Sequence, residues 1–357
     1  MKTYTKFLLK LFFNSILFVF FIMSCLVIIL NILSEIEFFK IYNVTSLFPF
    51  YMGLLNTPSL IFEMFPFIFL ISTQVFFVSL FNNNEIEIFK YSGLKNSKIL
   101  STISYFTLIL GIFIITFFYN ISSDLKSIYI KIKSNYTTEE THLAFVTKNG
   151  LWIKDVINGK TRIINARKIE NNFLLDLFIT EFDENYNLIR NIKSERANIL
   201  KKKWQIYNNK LYQNNVQLEE NEMQINSNFD YEKIQNLFSN LSSLSLINLI
   251  NLRKNYNQLN YSTTEVNIQI YKILTYPIYF VLMTIFSAII MFNTKKFKST
   301  TFKICIGLFF SVIIYYLFNF FYILGNIEKL TLIISIITPL ILLTLTNFFL
   351  LFRLNEK

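Results

Sequence analysis

The 357 residues are 53% hydrophobic and 18% aromatic, and 41 of them are phenylalanine. One soluble core does not absorb that much apolar surface, because cores of this size split into domains instead of growing. The net charge of +11 could suggest a nucleic-acid partner, but most lysines outside the middle third cluster in short segments beside apolar runs. That is the pattern of membrane-flanking loops, and no nucleic acid is expected to bind.

Six stretches carry no Asp, Glu, Lys or Arg: Leu11–Leu33, Met64–Phe81, Ile99–Ser123, Ile273–Thr294, Ile304–Ile327 and Leu330–Phe352. A helix needs about 20 such residues to cross the hydrocarbon core. The first is too long for a signal peptide and no small-residue cleavage site follows, so it is expected to stay in the mature chain. The second falls short, and lengthens if Ser59–Glu63 begins its helix. Glu63, between Pro58 and Pro66, is the one ionisable residue near membrane depth, where such groups are functional candidates; the plainer reading is an interfacial carboxylate at a helix start. Cys25 and Cys305 fall inside apolar spans and read as packing residues, with no disulfide expected.

Between the second and third spans lies Asn83–Lys95, too apolar for a plain turn. Ile86, Phe89 and Lys90 share one helical face, and Gly93 can end the helix in the left-handed conformation. A short amphipathic helix at the membrane surface is predicted here, serving either as a grip for a partner or as a surface anchor.

The segment from Asp124 to Lys272 holds 20 basic and 16 acidic residues. Its strands are predicted at Leu143–Lys148, Leu151–Ile157, Thr161–Ala166, Leu174–Phe182, Ala197–Leu200 and Trp204–Tyr207. Turns fall at Asn149–Gly150, Asn158–Gly159 and Asp183–Asn185. Short strands at regular spacing predict an antiparallel sandwich or jelly roll. A helix follows over Leu244–Asn255, and Ser262–Glu265 matches a capping box ahead of the fourth span. The fold class is therefore an α-helical membrane protein with six spans, three on either side of an antiparallel β insert.

Lysines and arginines gather at Lys2, Lys6 and Lys10, at Lys90, Lys95 and Lys98, at Lys295, Lys296, Lys298 and Lys303, and at Arg353 and Lys357. The alternate short loops carry only Lys40 and Lys329 as cations. By the positive-inside rule both termini lie in the cytoplasm and 124–272 on the far side of an inner membrane.

Catalytic constellations are missing from the sequence. His142 is the single histidine and has no second histidine or cysteine nearby for a metal site. Seven glycines supply no phosphate-cradling loop and no nucleophile elbow. No enzyme activity and no cofactor are expected.

Glu85-Ile-Glu-Ile-Phe-Lys-Tyr-Ser-Gly93, Asn149-Gly-Leu-Trp-Ile-Lys-Asp155 and Thr180-Glu-Phe-Asp-Glu184 occur in that order. They are followed by Ala197, Trp204, Leu244–Leu249 and Ile270–Pro277. With this topology the chain resembles the permease subunits of the lipopolysaccharide export ABC transporter, the G-type more than the F-type. The resemblance implies spans 1–3 over 1–123 with a coupling helix at 83–95, a periplasmic jelly-roll-like domain with connecting helix over 124–262, and spans 4–6 over 263–357. It implies that Glu85, Ile86, Phe89, Lys90, Ser92 and Gly93 transmit the closure of a partner ABC ATPase dimer, which binds the ATP and magnesium. It also implies an F-type permease partner, a single-span periplasmic bridge protein, and a lipopolysaccharide cavity lined by the first and fifth spans. An aromatic wall on the fifth span, Tyr315, Tyr316, Phe318, Phe320, Phe321 and Tyr322, would meet acyl chains, with Tyr315, Phe318 and Tyr322 as the candidate cavity residues. G-type subunits often carry lysines late in the first span. Here Asn31–Lys40 is acidic and leaves Lys40 as the candidate for the lipid phosphates. The F-type subunit, and a structural or sensory membrane protein with a partner-binding outer domain, are the alternatives; a membrane-embedded transferase lacks a polar catalytic cluster.

Overall fold

The structure is a computed structural model. It describes every residue except 1–2, 137–150, 158, 171, 214–215, 232–233, 235–239, 259–261, 294–298 and 356–357. The expected strand at Leu143–Lys148, the turn at Asn149–Gly150, His142 and the lysines at 2, 295, 296, 298 and 357 lie outside the described residues.

The chain divides into two compact units, residues 1–129 with 264–357, and residues 130–263. In the first unit the long helices are α1 (Thr3–Phe39), α2 (Phe48–Asn82), α4 (Asn96–Ser134), α6 (Thr264–Asn293), α7 (Thr300–Asn326) and α8 (Leu332–Asn355). All six are long and apolar enough to cross a membrane. They outrun the charge-free stretches because helices continue through the polar interface, where Lys and Glu side chains reach water. The short helix α3 (Glu85–Tyr91) joins α2 to α4. The second span is not short: α2 begins at Phe48, with Pro49 in its first turn, and carries Pro58 and Pro66 inside it.

The α1–α2 hairpin is tight. An added Cβ at Gly53 would come within 3.2 Å of the Ile32 backbone, so only glycine admits this approach. Beside it, the buried Asn31 side-chain amide donates to the Gly53 carbonyl at 2.6 Å, and Asn56 donates to the Asn31 Oδ1 at 3.2 Å. Glu35 is also buried, and accepts the Tyr129 hydroxyl at 2.7 Å. The acidic end of the first span therefore serves in part as a tie to α4.

At mid-span α4 passes through a π-helical turn, Ile114–Phe118. Just before it, Gly111 lies against Pro277 of α6, where a Cβ would meet the Pro277 Cα at 2.9 Å. Polar ties between spans are few and buried: Thr107 and Thr284 hydroxyls lie 3.4 Å apart, Ser287 donates to the Leu70 carbonyl at 2.7 Å, and Asn347 donates to the Leu282 carbonyl at 3.0 Å. In hydrocarbon the alternative to such bonds is an unsatisfied polar group.

The second unit is built on one six-stranded antiparallel sheet, β1 (Leu151–Ile157), β2 (Lys160–Glu170), β3 (Phe173–Phe182), β4 (Leu188–Asn198), β5 (Lys203–Gln213) and β6 (Val216–Asn226). Its strand order is β1-β2-β3-β4-β5-β6, a meander, with no crossover among the described residues. Sequence patterning located β1 and β3 to within a residue, caught only part of β2 and β5, barely touched β4 and missed β6. The fourth strand lies upstream of the expected Ala197–Leu200, because Arg190, Asn191, Lys193 and Ser194 leave Leu188–Ser194 without a clear apolar run. The sixth, Val216–Asn226, is an edge strand whose side chains are nearly all exposed; the backbone ladder to β5 holds it, without apolar alternation.

The two ends of the meander are joined by side chains. The Asp155 carboxylate on β1 is buried and accepts the Ser227 hydroxyl at 2.8 Å and the Asn228 amide at 2.8 Å. Arg162 on β2 donates to the Asn226 carbonyl at 2.6 Å, and the buried Trp204 indole donates to the Phe229 carbonyl at 2.8 Å. The sheet so curls around its own inner face, where Ile153, Ile164, Leu177, Ile179, Ile192 and Ile206 pack.

Across that face runs a charged ladder. Asp155, Arg162, Glu181 and Arg190 stand directly opposite one another on four successive strands. Glu181 takes Arg162 at 2.9 Å and Arg190 at 2.5 Å. Burial opposes ionisation of Glu181, but Arg190 and Arg162 outweigh it and hold the carboxyl below its usual range. Two of the resemblance motifs therefore supply the buried carboxylates of the sheet. Helix α5 (Leu246–Gln258) follows, with Leu249 and Leu252 buried.

Candidate functional site

Three features of the helical unit stand out: the short helix α3, the outward faces of α1 and α7, and a charged cluster between α2, α4 and α6.

Helix α3 is joined to α2 by two residues, Asn83 and Asn84, the latter left-handed at φ 56°. Its C-terminus closes as the sequence predicts, with Gly93 at φ +75° and its N–H donating to the Lys90 carbonyl at 2.9 Å. Ser92 caps the same turn, its hydroxyl donating to the Ile88 carbonyl at 2.9 Å. Ile86 is buried, and Phe89 is half-buried with its ring edge-on to Phe7 of α1 at 6.1 Å. Lys90, expected on that inward face, is exposed, as are Glu87 and Ser92, while Glu85 is half-buried. The surface α3 presents outward carries two large apolar side chains, Ile88 at 59% exposure and Tyr91 at 91%. Sequence reasoning grouped residues by the face with most apolar positions, which in a seven-residue helix is the face that anchors it. The unspent apolar residues at spacing three were the available signal for the other side.

The structure divides the expected aromatic wall of the fifth span between two faces of α7. Tyr315, Phe318 and Tyr322 lie on one face of α7, and that face packs inward. Phe318 stacks on Tyr279 at 4.2 Å between ring centroids, and Tyr315 meets Phe67 at 5.5 Å. The Tyr322 ring lies under the Lys272 ammonium at 5.3 Å. The aromatic side chains that α7 turns outward include Phe309, Phe310, Tyr316 and Phe320. Helix α1 is similarly open, with Phe18, Phe21, Ile29 and Leu33 among its exposed residues.

Lys40, the expected phosphate contact, is exposed in the turn after α1. A second group of cations lies elsewhere in the bundle, and the sequence reading did not single it out. Lys126 of α4 and Lys272 of α6 lie close enough to Glu63 of α2 to feel its charge, and Lys272 also feels Lys126. Two lysines stand against one carboxylate in this part of the bundle, an excess of one positive charge. These lysines escaped notice because they lie just outside the charge-free stretches, where they counted as part of the insert. Among the described residues no cluster of His, Cys, Asp and Glu suits a metal ion.

Six candidate spans in two groups of three, with a curled antiparallel sheet inserted between them in the chain, define a multi-pass membrane protein. The chain belongs to the family of lipopolysaccharide export system permeases LptF/LptG, whose model matches residues 6–353. Members of this family are non-catalytic subunits of the lipopolysaccharide ABC transporter, in which a separate subunit is the ATPase. No curated protein matches the chain.

Proposed function

We propose that this chain is the G-type permease of a lipopolysaccharide exporter, held in the inner membrane with both termini in the cytoplasm and 124–272 in the periplasm. It pairs with an F-type permease over an ABC ATPase dimer and passes lipid to a single-span periplasmic bridge. Helix α3 receives the ATPase on Ile88 and Tyr91, with Glu85, Glu87 and Lys90 around them, while Ile86 and Phe89 fix the helix to the bundle. The lipid's acyl chains run along the outward faces of α1 and α7, and Lys126 and Lys272, more than Lys40, neutralise its phosphates. The curled sheet then conducts the lipid away.

The observation that carries this reading is the outward apolar pair on α3. A solvated loop has no reason to expose Tyr91 and Ile88 together unless something covers them. The test is co-expression with the neighbouring permease and ATPase genes, followed by pull-down and lipid analysis. Wild type is expected to bring down the ATPase with bound lipopolysaccharide. The double substitution Ile88→Asp/Tyr91→Asp is expected to weaken ATPase binding by about 30-fold, the loss of about 2 kcal/mol typical of an interface anchor. Undiminished ATPase recovery from that variant sinks the assignment of α3. A co-purified partner that itself carries the Asn149–Asp155 motif, where this chain's pairing calls for a subunit lacking it, would make this chain the F-type half.

A further inference from the structure

Gln74 lies on α2, two turns before the helix ends, and is fully buried. Its side-chain amide donates across to the backbone carbonyl of Lys303 on α7 at 3.1 Å. Its Oε1 is buried with no hydrogen-bond partner among the described residues. One turn further along α7 is Gly307, where any Cβ would collide with the Gln74 amide. A glutamine at this depth is costly where a leucine would pack freely, and the opposing glycine makes room for it.

The same two helix ends meet once more. The Lys303 ammonium sits 5.7 Å from the centre of the Phe81 ring, on the last turn of α2. From Phe81 the chain passes through Asn83 and Asn84 directly into α3. In that turn the Asn83 N–H donates to the Ser79 carbonyl at 3.1 Å and the Asn84 N–H to the Phe81 carbonyl at 3.2 Å. No slack segment separates α3 from the contacts that hold the start of α7. Elsewhere α7 is sparsely held, and little of its length is buried.

We propose that Gln74 is a positioning residue, the joint through which movement of α3 is delivered to α7. Displacing α3 displaces the end of α2, and the Gln74–Lys303 hydrogen bond carries the start of α7 with it. Because the acceptor is a backbone carbonyl, the joint grips the helix itself and not a swivelling side chain. The outer half of α7 pivots on its ring contacts with α6, Phe318 against Tyr279, so its outward aromatic face changes its exposure. This rests on the proposed function, in which α3 meets the ATPase and α7 faces the lipid.

The experiment uses the whole transporter reconstituted in proteoliposomes, reading ATP hydrolysis and lipopolysaccharide release in parallel. Gln74→Met, of matching length and without the donor, is expected to assemble and hydrolyse ATP as wild type does. It should release about threefold to tenfold less lipid per ATP, the range expected for one buried interhelical hydrogen bond. Gly307→Ala, which drives the amide out of place, is expected to do the same. Lys303→Met, which keeps the carbonyl acceptor and loses only the contact with the Phe81 ring, should lower the ratio less than Gln74→Met does. An unchanged lipid-to-ATP ratio in Gln74→Met overturns the proposal. So does loss of assembly in both Gln74→Met and Gly307→Ala, since Gln74 is then a packing residue. If wild type itself hydrolyses ATP without releasing lipid, the functional reading fails instead.

Discussion

Helices α6 and α7 are neighbours of similar apolarity, yet in the most apolar stretch of α6 72% of residues are buried, against 17% in α7. Helices α2 and α1 repeat the contrast, at 61% and 28%. Hydrocarbon is as apolar as leucine, so hydrophobicity in a span does not tell inside from outside. Small and polar residues do not draw the distinction by themselves: buried Ser15, Ser24 and Asn31 lie on α1 just as Ser72, Thr73 and Gln74 lie on α2 and Thr284 and Ser287 on α6. It lies in how many sides of each helix are covered by neighbours. The two interior helices make the scaffold of the bundle; in the proposed function the two open ones are left for lipid and partner.

The sharpest way to break this contrast is to truncate one ring on each side of it. Phe280, fully buried on α6, stacks on Phe69 at 5.0 Å. Phe280→Ala is expected to destabilise the detergent-solubilised protein by about 3–5 kcal/mol, measured by thermal unfolding. Tyr316→Ala on α7 should change stability by about 0.5 kcal/mol or less and lower lipid release instead. Equal stability losses would mean that α7 is as much scaffold as α6.

A second contrast sets the membrane unit, tied by few polar groups, against the sheet, tied by a charged ladder. Glu181→Gln leaves Arg162 and Arg190 facing one another without their anion and is expected to cost about 3 kcal/mol. Hydrogen exchange over β2–β4 in the full chain would show it. The folded carboxyl titrates below its ordinary 4.5, so its contribution is present above that pH and lost as pH falls through the lower folded value. Wild type should therefore lose protection in the sheet below pH 4.5, and Glu181→Gln should flatten that loss.

The smallest effect concerns α1 and α4. Tyr129→Phe removes the donor to buried Glu35 and should cost about 1–3 kcal/mol in thermal stability. If it costs nothing, Glu35 is satisfied by its other neighbours, and the acidic end of the first span is free for another role.

The number and order of spans were legible in the sequence because a bilayer demands long uncharged runs. The same property hid which way each helix faces. Phe318 and Phe320 are identical in chemistry, and only the packing of Tyr279 against the first separates them. In the sheet, β1 and β3 were visible because one face alternates apolar residues. Polar β6 was invisible because pairing, not burial, holds it. Gly93 was read correctly, since its role is a backbone conformation that glycine alone adopts cheaply. Lys126 and Lys272 come together only when α4 and α6 pack, and nothing in their sequence spacing brings them to one place.

The central claim is that lipid meets the open face of α7 and not the packed one. A photoreactive amino acid placed at Tyr316 or Phe320, and separately at Phe318, tests this most directly in the energised transporter. Crosslinks to lipopolysaccharide from positions 316 and 320, with none from 318, are the expected result. Labelling from position 318 alone would put the lipid path on the opposite side of the helix and contradict the account.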